Sequence, residues 1–489
     1  MNRSAAATQN RIPCYSYLLV AIVLLIFSAC QTTQTIDESR QATGVKIGEV
    51  TDSSAMIWMR VTESEKRRAD GIEHRGRPER KVPPEMPNPR DLEGSVPGAE
   101  GRVRVRYGTT PELMDIQTTE WVAVKAEDDY THIFKLSGLK PATRYYFSAE
   151  TSNPDGSVMH KDLRGQFETA PPAGQYGDVT FTVITGQAYR DADDPEGFLI
   201  YESMGKLNPK FLVPTGDTVY YDSDDPAATT IDLARYHWHR IYSYPKLIRF
   251  HQLVPGYWEK DDHDVYADDC WPGLVRDFMG EFSFEQGLKV YAEQAPMSDK
   301  PYRTFRWGKG LQVWLTEGRD FRTPNTMEDG PGKTIWGAEQ KKWLMDSLLA
   351  SDADWKVLVS PTPIVGPDRS NKRDNHSNEA FQYEGDEFRS FVQKNMPDNF
   401  FIACGDRHWQ YHSVHPATKV QEFSSGPASD QHAGGTPGEQ DEYHRFHRVL
   451  GGFLSVNTKR DGDQSAIAFR LHAVDGSVVY EYTQSRTAN

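Results

Sequence analysis

From about Gly44 to Phe167 the chain shows short apolar runs with every second position polar, and from Asp178 onward it changes to continuous apolar runs separated by helical stretches. Ala55-Met56-Ile57-Trp58-Met59-Arg60-Val61 and Val103-Arg104-Val105-Arg106-Tyr107 have the two-residue period of strands that bury one face. Turn residues separate such runs, which predicts a small all-β sandwich over residues 40–170. Residues 63–100 are rich in Glu, Arg and Pro and poor in large apolar side chains, so they predict a long surface loop within it. Pro171-Pro172-Ala173-Gly174 reads as a linker.

Past the linker the pattern predicts alternating strands and helices over residues 175–489. Strands fall at Asp178–Thr185, Lys210–Pro214, Leu311–Thr316, Trp355–Val359 and Phe400–Cys404, and helices at Glu196–Leu207, Ala338–Leu349 and Asp386–Asn395. The fold class that follows is a layered α/β domain, its chemistry in loops at strand ends, preceded by the all-β sandwich. The close of that sandwich, Thr131 to Phe147, resembles a fibronectin type III domain: a strand, a Leu139-Lys140-Pro141 turn, then an aromatic strand whose Tyr can hydrogen-bond back to the turn.

The chain has 489 residues, of which 37% are hydrophobic and 26% charged, enough for two packed cores. Its formal charge of −15 argues against a nucleic-acid partner, since such binding rests on Lys and Arg neutralising phosphates. An anionic substrate would need a locally positive pocket, most easily supplied by metal ions. Arg3 and Arg11 precede the apolar run Tyr17–Phe27, which ends in Ser28-Ala29-Cys30; this is the layout of a signal peptide over residues 1–30. The last three residues resemble a bacterial lipobox, which implies lipidation at Cys30, a membrane attachment through that anchor and, with Gln31 next, the outer membrane or periplasm. Ordinary cleavage with secretion is the alternative. Of 4 Cys, only Cys270 and Cys404 remain for the folded body, and they read as buried free thiols and not as a disulfide framework.

Three polar clusters each follow an apolar strand. They are Thr215-Gly216-Asp217-Thr218-Val219-Tyr220-Tyr221-Asp222, Lys260-Asp261-Asp262-His263-Asp264 and Cys404-Gly405-Asp406-Arg407-His408. Each alone has an ordinary reading, a turn or a solvated loop. Their shared position at strand ends lets carboxylate and imidazole groups converge in one crevice, the chemistry of a divalent-cation site. Asn375 and His376 lie in the long polar loop Val365–Gln382 between two of these strands, which makes them candidate substrate-binding residues. The pairs His237/His239 and His444/His447 read as packed or surface histidines.

In this order and spacing the three clusters resemble the metallophosphoesterase superfamily, and within it the PhoD-like alkaline phosphatase and phosphodiesterase family. Gly44 to Ala55 is similar to that family's N-terminal domain, and Tyr302–Gly308, Arg319–Arg322, Trp336–Gln340 and Trp355–Val357 resemble its intervening segments. The resemblance implies that Asp217 bridges two metals, that Tyr220 ligates one as a phenolate, and that Asp262, Asp406 and His408 complete the shell. It implies that His263 protonates the leaving oxygen and that Arg319 holds a non-bridging oxygen. The implied reaction is metal-dependent hydrolysis of a small or polymeric anionic phosphoric mono- or diester.

One position departs from the family. Gly186 in Ile184-Thr185-Gly186-Gln187 stands where a Cys or Asp ligand is expected. Loss of a thiolate weakens a second metal such as iron, manganese or zinc and favours calcium in an oxygen-rich shell. Gln187, Asp191 and Asp194 could substitute, although a polar surface loop is the better reading for them. The same departure keeps open a sulfate ester hydrolase on this scaffold, since a site with fewer cations suits a less charged ester. A non-catalytic glycan-binding surface lipoprotein is the reading from another class, disfavoured by the retained ligand chemistry.

Overall fold

The structure is a computed structural model that describes residues 34–488, so the expected signal peptide and Cys30 lie outside the described residues. The first region is a β-sandwich. Gly101–Gly108 and Arg144–Ser152 form the middle of one sheet, and Lys46–Gly48, Ser54–Arg60 and Thr131–Ser137 form the other. Its core takes the inward positions of the alternating runs, among them Ala55, Ile57, Met59, Val103, Val105 and Phe147. Tyr145 accepts the Lys140 backbone N–H at 2.9 Å, the expected bond from aromatic strand to turn.

The second region is a four-layer α/β/β/α sandwich. One mixed sheet holds Val179–Ile184, Phe211–Pro214 and the C-terminal strands Phe453–Asp461, Gln464–His472 and Val478–Thr487; the other runs from Arg303–Trp307 to His444–Arg448. The sequence explains the layering. Val313, Leu315, Val357, Val359, Phe401 and Ala403 face the opposing sheet, with Phe181, Val183 and Val213 on the far side. Their odd-one-out neighbours Trp314, Leu358 and Ile402 pack instead on helices Gly337–Ala350 and Gln382–Asn395. A strand apolar at consecutive positions must be covered on both faces, and here it is. On the other flank, helices Ile200–Lys206, Ile231–Tyr242 and Phe284–Gln294 cover the first sheet.

Two expectations change. The helix foreseen from Glu196 begins only at Ile200, because Asp194 and Gly197 close a tight turn by mutual backbone bonds of 3.0 and 2.9 Å. The two regions are also not merely tethered: Gly256 donates to Ile47 O at 2.8 Å while its neighbour Tyr257 donates to Leu212 O at 2.9 Å, so the small sheet continues into the sheet that holds Phe211–Pro214. Trp58 Nε1 and Lys46 Nζ add bonds to the carbonyls of Glu293 and Gln294, at 2.7 and 2.6 Å. Among the described residues no helix is long and apolar enough to cross a membrane.

Candidate metal centre

The three clusters meet beyond the ends of the strands Phe211–Pro214 and Phe400–Cys404 and of the segment before Lys260, which joins the sheet only by isolated bridges at Gly256 and Glu259. Asp217 and Asp406 each follow a Gly and sit in the left-handed region, at φ 53° and 59°, a conformation that costs a non-glycine residue free energy and marks a held geometry. Gly216 is required by close approach: a Cβ there would lie 2.4 Å from Asp261 Cβ. Buried Asp264 locks the two loops together. Its Oδ1 accepts the N–H groups of Thr218 and Val219 at 2.7 and 3.0 Å, and its Oδ2 accepts that of Asp261 at 3.0 Å.

The result is a concentration of carboxylates. Ligand atoms of Asp217, Asp261 and Asp406 lie within 4.8 Å of one another, as do those of Asp217, Asp262 and His263. Asp217 is 1% exposed and its Oδ1 has no hydrogen-bond partner. Burial and the neighbouring Asp262 charge raise its pKa despite His263, and burial raises that of Asp261 despite Arg319. Carboxylates packed this way are costly unless a cation neutralises them, so the donor set fits divalent metal ions. Around Asp217, Tyr220 Oη is 3.1 Å from its Oδ2 and 3.2 Å from His408 Nε2. Burial and Arg407 push His408 down to about 3, leaving the neutral imidazole that a ligand requires.

Five of the six residues expected from the three clusters converge here directly: Asp217, Tyr220, Asp406, His408 and His263 all line one cavity of about 540 Å³. Asp262 lies just beneath, its carboxylate accepting the N–H groups of His263 and Asp269 at 3.0 and 2.5 Å. Burial works against protonation of His263, but Asp222, Asp262 and Asp217 outweigh it and raise the pKa. Its Nδ1 is 2.5 Å from Asp222 Oδ1.

Three expected residues are placed elsewhere. Arg319 does not line the cavity. It is fully buried, with Nε 2.6 Å from Asp261 Oδ1 and Nη1 donating to Cys270 O at 3.3 Å, so it orients a carboxylate from behind and presents nothing to a substrate. Asn375 is turned inward to Asp368, Asp374 and Ser377. His376 is bonded to Glu384 at 2.9 Å and packed against Trp336. Their loop does reach the cleft, but through Arg369 and Lys372.

Sequence reasoning gave no role to several groups found at the site. Asp261 and Asp222 lay inside the quoted clusters, and only packing shows which carboxylate of each faces the crevice. Arg190 and His432 reach the cavity with Arg369 and Lys372, and so do Arg77 and Arg80 of the loop 63–100. That loop is on the surface as expected, yet it lies over the second domain: His74 Nδ1 is 2.8 Å from Asp225 Oδ2, Asp225 N donates to Gly76 O at 3.2 Å, and Arg67 donates to Arg240 O at 3.0 Å. Of the proposed substitutes for the Gly186 ligand, Gln187 is held by Thr218 O and Tyr201, Asp194 by the Glu196 N–H and Lys246, and Asp191 lines the cavity bonded to His432 at 2.7 Å. Cys270 and Cys404 are free and buried, and His237, His239, His444 and His447 pack away from the cavity.

Comparison with known proteins places this architecture. The family model for PhoD-like phosphatase matches residues 181–460, and that for the N-terminal domain of PhoD-like phosphatase matches residues 28–171. Alkaline phosphatase D of Bacillus subtilis is 23% identical over 416 residues, 75% of this chain and 64% of its own length; the chain thus spans slightly under two thirds of that relative. A solved structure of PhoD superposes with a TM-score of 0.69 at 17% identity, covering 93% of this chain and 91% of its own. A purple acid phosphatase from yellow lupin seeds gives 0.59 at 12% identity, over 91% of this chain and 74% of its own.

Proposed function

The chain belongs to the PhoD-like phosphatase family, and on that basis we propose that it is a metal-dependent hydrolase of phosphoric esters. One observation carries the reading: the carboxylates of Asp217 and Asp406, with that of Asp261 buried behind them and an unpartnered oxygen on Asp217, lie at a cavity whose walls carry Arg77, Arg80, Arg190, Arg369 and Lys372. In a chain of net charge −15, such a concentration of cations above a metal-binding floor suits a substrate of high negative charge density.

Asp217, Asp261, Asp262 and Asp406, with Tyr220 and His408, would hold the metal ions. Divalent cations bound there supply charge neutralisation to a phosphoryl group and activate water. The oxygen-only end at Asp261 and Asp406 suits a hard cation such as calcium. The remaining work belongs to side chains. Arg190 and Lys372 are held by ion pairs to Asp224 and Asp269 at 2.6 Å each, so their charges face the cavity at little further entropic cost and orient anionic oxygens. Asp222 fixes His263 with Nδ1–H toward itself, which leaves Nε2 as the nitrogen that delivers a proton to the leaving oxygen.

The proposal extends to the compartment. The signal-like residues 1–30, with Cys30 as lipidation site, support action outside the cytoplasm from a membrane anchor; globomycin treatment and mass spectrometry of the mature N-terminus test this, and a mature chain beginning elsewhere than Cys30 would sink it. For the activity, metal analysis of the purified protein is combined with phosphate and sulfate release from a panel of mono- and diesters. Phosphate release that requires metal is expected. Release of sulfate alone would replace this reading with the sulfate ester hydrolase.

A further inference from the structure

Gly186 ends the strand Val179–Ile184 in a left-handed turn at φ 56° and supplies no ligand. The space beside it is filled. A Cβ at Gly186 would lie 3.1 Å from Cδ2 of His408 and 3.2 Å from Cδ2 of His432, so the position from which a side chain would reach the centre faces two imidazole rings. The route by which His432 arrives is a strand pairing: Thr185 bridges Pro427 in parallel, and Ala428 N donates to Gly186 O at 3.0 Å. The turn Asp430–His432 follows at once and delivers the imidazole to the crevice.

Its surroundings are those of a ligand. His432 Nε2 is 2.8 Å from Tyr220 Oη, and its ring centroid is 4.2 Å from that of His408. Tyr220 Oη in turn is the point on which His408 Nε2 and Asp217 Oδ2 close. On the other side, Nδ1 of His432 is 2.7 Å from Asp191 Oδ2, and Arg190 pairs with the same Asp191 oxygen at 3.5 Å. A carboxylate on the far nitrogen is the usual support of a metal-bound imidazole, because it fixes the tautomer and raises the basicity of the free nitrogen. The side chain is 6% exposed, and no other assigned role uses it.

We infer that His432 is a metal ligand that takes over the place left open at Gly186, with Asp191 as its positioning residue. Tyr220, His408, His432 and Asp217 then offer a phenolate, two imidazoles and a carboxylate, a set that selects a transition metal such as zinc, manganese or iron over calcium. The centre is therefore not short of a ligand; it has exchanged one near the first strand for one carried on a neighbouring strand end. The inference rests on the metal-dependent reading of the cavity, and its test reads metal and not turnover.

The chain stripped with chelator is loaded with zinc or cobalt, dialysed, and assayed for metal per chain and for affinity by chelator competition. His432→Ala should lose one transition-metal equivalent, with the cobalt absorption spectrum of that site, while circular dichroism stays that of the parent. Asp191→Asn, which keeps the imidazole but removes its charged support, should weaken metal affinity about 10–100-fold, and it decides the matter if His432→Ala does not fold. Parent-like metal content and affinity in the folded variants would overturn the assignment of His432 alone. A parent chain that binds no transition metal would likewise overturn the His432 assignment, and one that binds no divalent cation at all, calcium included, would overturn the metal-dependent reading together with it.

Discussion

Asp222 Oδ1 and His263 Nδ1 lie 2.5 Å apart, joining the loop after one strand to the loop after its neighbour at the wall of the cavity. The pairing leaves His263 a single nitrogen for chemistry. General acid catalysis contributes about 10²–10⁴-fold, so His263→Ala should lose rate on that scale with alkyl esters and much less with nitrophenyl esters, whose leaving group scarcely needs a proton. Asp222→Asn should show the same pattern with a smaller loss. Rates on both ester types and metal content check this; equal losses accompanied by lost metal would show that His263 is a ligand.

Asp217→Ala removes the carboxylate shared by both ligand clusters. The expected outcome is loss of bound metal together with turnover, and the measurement is metal analysis beside phosphate release. A variant with parent metal content and rate would place the centre elsewhere.

Arg77 and Arg80 are exposed cations at the cavity rim, where single charges are worth roughly 0–1 kcal/mol. Replacing both by Ala should raise KM for an anionic ester several-fold with a smaller effect on kcat, and should flatten the fall of kcat/KM with salt. Steady-state kinetics from low to high ionic strength check this; an unchanged salt profile would show that the loop takes no part in recognition.

His251 is buried among Tyr201, Tyr242, Phe250 and Trp258, and neither ring nitrogen has a hydrogen-bond partner. Burial, aided by Lys46, pushes it down to about 3, below the ordinary value of about 6.5. The unfolded chain therefore binds a proton the folded chain refuses, and its neutral form supports folding above about pH 6.5. That contribution falls as pH drops toward 3, by at most about 1.4 kcal/mol per pH unit. His251→Phe should gain on the parent as pH falls from 7.5 to 5 in urea unfolding. A stability difference independent of pH would refute the neutral buried state.

How much was legible in the sequence depended on whether a residue's direction was set locally. The strand Leu311–Leu315 was readable because consecutive apolar positions require cover on both faces, and Asp217 and Asp406 because a Gly-Asp pair after a buried strand leaves the carboxylate at a strand end. The Tyr145 bond to the Lys140 turn was readable for the same reason, its partner being five residues away.

Arg319, Asn375 and His376 could not be read that way. Asn375 and His376 stand in a loop that reaches the cleft through Arg369 and Lys372, and Arg319 stands beyond the end of the strand Leu311–Leu315, but a loop side chain turns toward whichever partner the rest of the fold presents. Asp261 captures Arg319, Asp368 captures Asn375 and Glu384 captures His376. His432 and Arg77 show the converse. Nothing beside them in the chain marks them as site residues; the pairing of Thr185 with Pro427 brings one to the centre, and the clamping of loop 63–100 at His74 and Gly76 brings the other to the rim. The sequence by itself determined the strands, their two-sided burial and the carboxylates at their ends, since these follow from periodicity and local turns. Tertiary structure alone decided which charged groups face the cavity and which imidazole lies beside Gly186, because those choices are made by contacts between segments far apart in the chain.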